Sequence, residues 1–203
     1  MKVKTWTDRI TDESNLWLNA IKMEDGQDLH KATIFYIKDA AECLKGDLHN
    51  RAALSCLCAA DCLSKSGCLE DARRLYLEAA MIYEKNADLV IGKSIRESLW
   101  SLQEAYENFL LASDYYGAQK VFDKYLSLAR KLNPFGESET MDVLHARKKS
   151  IESVKAHINP ALKNSNEIST AIDHLARLRQ SAASDKVDPG VAREPAGQKR
   201  KEI

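Results

Sequence analysis

Three stretches of this chain repeat one short pattern, and nothing else in it constrains the fold as tightly. Asp28-Leu29 is followed by Ala32 and Tyr36, Gly67-Cys68-Leu69-Glu70-Asp71 by Ala72, Tyr76 and Ala79, and Asp114-Tyr115 by Ala118, Phe122 and Tyr125. In each, turn residues lead into a helix. Its small residue lets a second helix come close, and the aromatic one turn later fills the gap beside it. One supersecondary unit is therefore used three times, which points to a stack of helical hairpins.

Punctuation agrees with this. Eight glycines and four prolines are spread over 203 residues, and Pro189 and Pro195 stand in the last fifteen. Strand and turn signals are nearly absent, so the expected class is all-α. From Asp12, Leu16, Ala20 and Met23 keep helical spacing, Gly26 offers a stop, and Asp28 caps a second helix carrying Ile34 to Leu44. Asn50 opens a helix with Cys56, Ala59, Ala60 and Leu63 on one face. Gly67 ends it, and the return helix carries Ala72, Leu75, Tyr76, Ala79, Ala80 and Tyr83. Ser94 begins a third pair with Leu99, Leu102, Ala105, Tyr106 and Phe109 in register, and Ala118 to Leu132 return before Pro134.

Glu137 to Asn159 reads as a C-terminal capping helix with a narrow stripe of Met141, Leu144, Ile151, Val154 and Ile158. Pro160 and the polar run Lys163 to Asn166 interrupt the chain. Ile168, Ala171, Ile172, Leu175 and Leu178 then form a short amphipathic helix over 167–182. Beyond Ser184 the chain is too poor in apolar residues to order itself. The expected organisation is a repeat domain with its cap over 1–159, a linker and short helix over 160–184, and a disordered tail over 185–203.

The turn-Ala-aromatic runs resemble the second helices of tetratricopeptide repeats. The first helices offer Leu16, Asn19, Ala20 and Met23, then Cys56, Ala59, Ala60 and Leu63, then Leu102, Ala105, Tyr106 and Phe109 at that family's four core positions. Leu or Cys replaces the family's usual leading Trp, and Asn19, Asp39 and Tyr106 depart from its apolar or small type. Ala32 to Ala72 spans 40 residues and Ala72 to Ala118 spans 46, against about 34 in the ordinary repeat. Longer helices of this kind resemble the stretched repeats of the soluble NSF attachment proteins. The resemblance covers Asp12 to Pro134 and implies a right-handed, TPR-like α-solenoid of about three antiparallel hairpins that binds proteins and needs no cofactor.

In such a stack the first helices line the concave side. The residues offered to a partner there are Trp17, Ile21 and Glu24, then Leu54, Leu57 and Asp61, then Trp100, Gln103 and Glu107. Apolar anchors beside acids suit a peptide or helix with hydrophobic side chains and a basic residue. Some members of the family clamp a terminal carboxylate with Lys, Arg and Asn. Trp17, Leu57, Asp61, Gln103 and Glu107 occupy the corresponding faces here, so that activity does not carry over. Trp17 and Trp100 have a competing reading as packing residues.

Five cysteines, Cys43, Cys56, Cys58, Cys62 and Cys68, fall within helical pattern and are expected as reduced thiols. Cys58 and Cys62 stand one turn apart with Cys68 beyond, which raises a cysteine-based metal or redox sensor as an alternative function. Paired C-x-x-C spacing is missing, and cysteine packs at close helix contacts much as alanine does. His30, His49, His145, His157 and His174 form no H-E-x-x-H, and there is no phosphate-cradling loop or nucleophile elbow. No catalytic residue is therefore assigned. Thirty basic and thirty acidic residues cancel, so no net field favours nucleic acid, and Lys199-Arg200-Lys201 reads as a solvated end. With neither a signal-like apolar core after Met1 nor a membrane-length apolar run, a cytoplasmic location without membrane insertion is expected.

These readings converge on a non-enzymatic scaffold or adaptor for a protein or peptide. A homodimer paired through the Met141–Ile158 stripe is a further alternative. Where the 167–182 helix docks is left open by the sequence; one reading has it fill the stack's own groove until a partner displaces it.

Overall fold

A computed structural model of the chain describes residues 15–133, 137–156 and 166–184. Within them lie eight helices and no strand: α1 (Leu16–Asp25), α2 (Leu29–Lys45), α3 (His49–Lys65), α4 (Leu69–Val90), α5 (Ile95–Leu111), α6 (Tyr115–Leu132), α7 (Glu137–Ala156) and α8 (Asn166–Ser184). The all-α expectation holds for the described residues. The predicted tail over 185–203, its basic end, Pro134, Pro160 and Ile158 all lie outside them.

The turns α1–α2, α2–α3, α3–α4 and α5–α6 share one design. Their third-from-last carbonyls accept at the same offsets: Asp28 N–H bonds Met23 O at 2.8 Å, Leu48 bonds Cys43 at 2.8 Å, Cys68 bonds Leu63 at 2.9 Å and Asp114 bonds Phe109 at 2.9 Å. This is the doubly bonded helix stop, which needs one residue in the left-handed region. Gly67 fills that position with φ 80°, but elsewhere Gln27 (60°), Asp47 (57°) and Ser113 (65°) do. Gly26, expected as the stop of α1, has φ −77° and sits one residue early. Side chains of Asn15, Asp28, Ser94 and Asp114 accept from the first-turn amides of α1, α2, α5 and α6. The helix expected from Asn50 begins at His49, with Leu48 at the cap and no side-chain cap bond.

Each helix from α1 to α6 packs on the next. The repeated small residues Ala32, Ala72 and Ala118 are buried at these contacts, as are Tyr36, Tyr76 and Phe122 one turn on. Gly117 adds a close approach of its own, since a Cβ there would meet the Phe109 ring at 2.6 Å. Asp39, the acid at a position expected to be small, is explained by its neighbours. It accepts Ser55 Oγ at 2.6 Å and Arg51 Nε at 3.1 Å, both from α3.

α7 packs on α5 and α6, with Leu144 buried and Met141 and Ile151 half-buried against the core. That part of the stripe is packed against the chain's own core. α8 lies on α2 and α4. Its main packing is thus on second helices rather than over the first helices α1, α3 and α5, the groove that one reading of the sequence offered it. The amphipathic pattern had revealed a buried face without revealing against what.

Candidate partner-binding face

Trp17, Leu54, Leu57, Trp100 and their acidic neighbours stand on α1, α3 and α5. Contacts between these alternate helices set their register. The Arg51 guanidinium lies 4.3 Å from the Trp17 ring near the start of α1 and α3, and Lys65 Nζ bonds Glu24 Oε1 at 2.6 Å near their ends. Asn50 Nδ2 reaches Glu97 Oε1 at 3.4 Å between the starts of α3 and α5. Like ends therefore meet like ends.

Trp17 is half-buried. Its ring meets Tyr36 edge-on at 5.1 Å on one side and Arg51 on another, and Arg51 is held in turn by Asp39. This is a joint between α1, α2 and α3, and the packing reading of Trp17 is the one its contacts favour. Ile21 is half-buried against the core. Glu24 accepts Tyr36 Oη at 3.0 Å as well as Lys65. The Lys65 bond chiefly holds its carboxyl below the usual carboxylate range, against opposing desolvation.

Trp100 is different. One turn beyond Glu97, it stays 45% exposed while its ring is gripped edge-on by Tyr83 at 5.6 Å. One turn beyond Asn50, Leu54 stays 39% exposed, and Leu57 is half-buried nearby on α3. An aromatic ring fixed on one edge and open on the other has already lost the rotamer freedom that binding would otherwise take away.

Acids border these residues. Tyr76 Oη donates to Asp61 Oδ1 at 2.7 Å, yet desolvation still pushes the Asp61 pKa up. Burial also raises Glu104, and the nearby Glu107 carboxylate raises it further. Glu107 pairs with Arg147 of α7, and Gln103 lies against the same guanidinium. Glu104 is thus a carboxylate whose charge the fold accommodates at a cost, and Asp61, more open to solvent, stands at helical spacing from Leu54 as Glu104 does from Trp100.

The cysteines lie deeper. Desolvation pushes Cys58 up to about 11 and Cys62 to about 12, with neighbouring acids adding to the rise, and Cys56 is raised further. Burial thus makes these thiols hold their protons more tightly than a free cysteine does. No group of three or more potential metal ligands comes together among the described residues. Among them, too, no helix is long and apolar enough to cross a membrane.

Sequence reading missed Arg51, Glu104 and Arg147, and placed Tyr83 in the core without its contact to Trp100. Helical spacing says which residues share a face, but the partner that orients a side chain comes from another helix. No protein-family model, no curated protein and no solved structure matches the chain.

Proposed function

We propose that the chain is a non-enzymatic scaffold or adaptor. In this reading α1–α2, α3–α4 and α5–α6 are antiparallel hairpins in a right-handed, TPR-like stack, α7 is its cap, and the concave face of α1, α3 and α5 binds a peptide or helix of another protein. The repeated turn geometry and the like-to-like register of α1, α3 and α5 support the architecture.

One observation carries the binding role: Trp100 is held edge-on by Tyr83 and left open, with Leu54 also exposed on α3, the helix that Asn50 ties to α5. Rigid, partly exposed aromatic anchors are what hot spots are made of. Asp61 and Glu104, whose ionisation is disfavoured in the free protein, favour a partner that brings a lysine or arginine to them.

The test is affinity capture with the full chain beside a Leu54→Ser, Trp100→Ser double variant of unchanged melting temperature, followed by titration of any retained protein. Retention by the parent with at least tenfold weaker binding by the variant supports the face. Equal affinity refutes it.

A further inference from the structure

α8 is attached to the rest of the chain much as a ligand is attached to a receptor. Its hydrogen-bond partners on α4 stand 98 to 101 residues upstream. Its apolar contribution is narrow: Ile168, Ile172 and Leu175 are buried, with Ala171 and Leu178 half-buried beside them. The specific part of the contact is polar. Ser169 Oγ donates to Asp71 Oδ1 at 3.0 Å, Arg74 pairs with Asp173, and Arg179 gives Nε and Nη2 to the two oxygens of Glu78 at 2.6 and 3.3 Å.

Asp71, Arg74 and Glu78 follow one another at helical-turn spacing, so α4 presents an acid–base–acid row. α8 answers with hydroxyl, acid and guanidinium. Asp71 is 1% exposed and Glu78 6%. A helix lacking the arginine would leave the Glu78 carboxylate covered and without its cation, so the groove discriminates among helices as well as binding one.

We propose that the groove between α2 and α4 is a helix-binding site for a partner protein, distinct from the α3–α5 face, and that α8 occupies it in cis. The occupant is an amphipathic helix of α8's own chemistry, apolar at i, i+4 and i+7 with an arginine at i+11. A surface that reads those groups at fixed spacing reads them on any chain. Tethering gives α8 an effective concentration on the order of millimolar, so only a well-matched helix replaces it.

A fluorescein-labelled peptide of residues 166–184, titrated by anisotropy into the full chain, tests this. In Arg179→Glu the internal helix is mismatched to Glu78, and the peptide, keeping its arginine, should bind at least tenfold more tightly than to the parent. In the Glu78→Arg, Arg179→Glu double variant the cis pair is restored in reverse, and the unaltered peptide should bind at least tenfold more weakly than to Arg179→Glu. The exposed change Asp173→Lys weakens the same contact without placing a new charge in the buried part, and should move affinity in the same direction as Arg179→Glu. No peptide binding to either loosened variant, or equal binding by the single and double variants, overturns the proposal.

Discussion

The Asp39 joint offers the most quantitative check on how the first three helices are held. Asp39→Ala removes a carboxylate that accepts from Ser55 and, through two nitrogens, from Arg51. Stranding one partner of a fully buried ion pair costs about 3–5 kcal/mol, but two features lower that here. Ser55 keeps a second acceptor, Arg51 O at 3.0 Å. The Arg51 side chain is 40% exposed and recovers water. What is lost is the two-nitrogen, partly solvated pair with Arg51 and the fixed guanidinium against Trp17, about 1–2 kcal/mol in sum. Urea unfolding should show that loss as a lower midpoint with unchanged slope, and melting should fall by about 2–8 °C for a chain of this size. Arg51→Met supplies the double-mutant cycle, in which the two changes should couple because they remove one network. A loss below about 0.3 kcal/mol, or strict additivity with Arg51→Met, refutes the joint.

Three further outcomes follow from the geometry. Glu104→Gln should raise stability near pH 7, and Asp61→Asn, on a carboxylate open to solvent, should do so by less. Both acids have raised folded pKa values, so their charged forms oppose folding above those values, and the advantage should shrink as pH falls through them in stability-versus-pH curves. Ser113→Gly should stabilise and Gly67→Ala destabilise, each by about 1 kcal/mol in chemical denaturation, because both positions have φ well above zero; effects of the opposite sign would mean the turns are built differently. Cys58 and Cys62, with pKa values near 11 and 12, should react with a thiol reagent at pH 7.5 far more slowly than in denaturant, whereas labelling at the unfolded rate would reopen the sensor reading.

The repeated unit was legible because its signal is local. Small residue, aromatic and turn stand within one or two helical turns of each other, and Ala32, Tyr36, Ala72, Tyr76, Ala118 and Phe122 are buried as that spacing requires. What lay between helices was not legible. Asp39 looked like a misfit until Arg51 and Ser55 were beside it. Trp17 and Trp100 look alike in sequence, yet one is pinned between Tyr36 and Arg51 and the other is left open, a difference made by α2 and α3. Gly26 misled because the left-handed turn position falls on Gln27, where a residue with a Cβ is tolerated at modest strain. For the candidate face, helical spacing put its residues on α1, α3 and α5, whereas the Tyr83 contact that orients Trp100 was not legible.

The distance in sequence between α8 and its seat has a consequence for synthesis. Helices α1 to α6 pack on their immediate successors, so each can be stabilised as soon as the next leaves the ribosome. The seat for α8 is complete once α4 has emerged, yet Ser169 and Arg179 follow Asp71 and Glu78 by 98 and 101 residues. At about 5–20 residues per second the interval is roughly 5–20 s. During it the sides of α2 and α4 that α8 later covers are bare on the nascent chain, and of the described helices α8 is both the latest made and the one whose packing reaches furthest back.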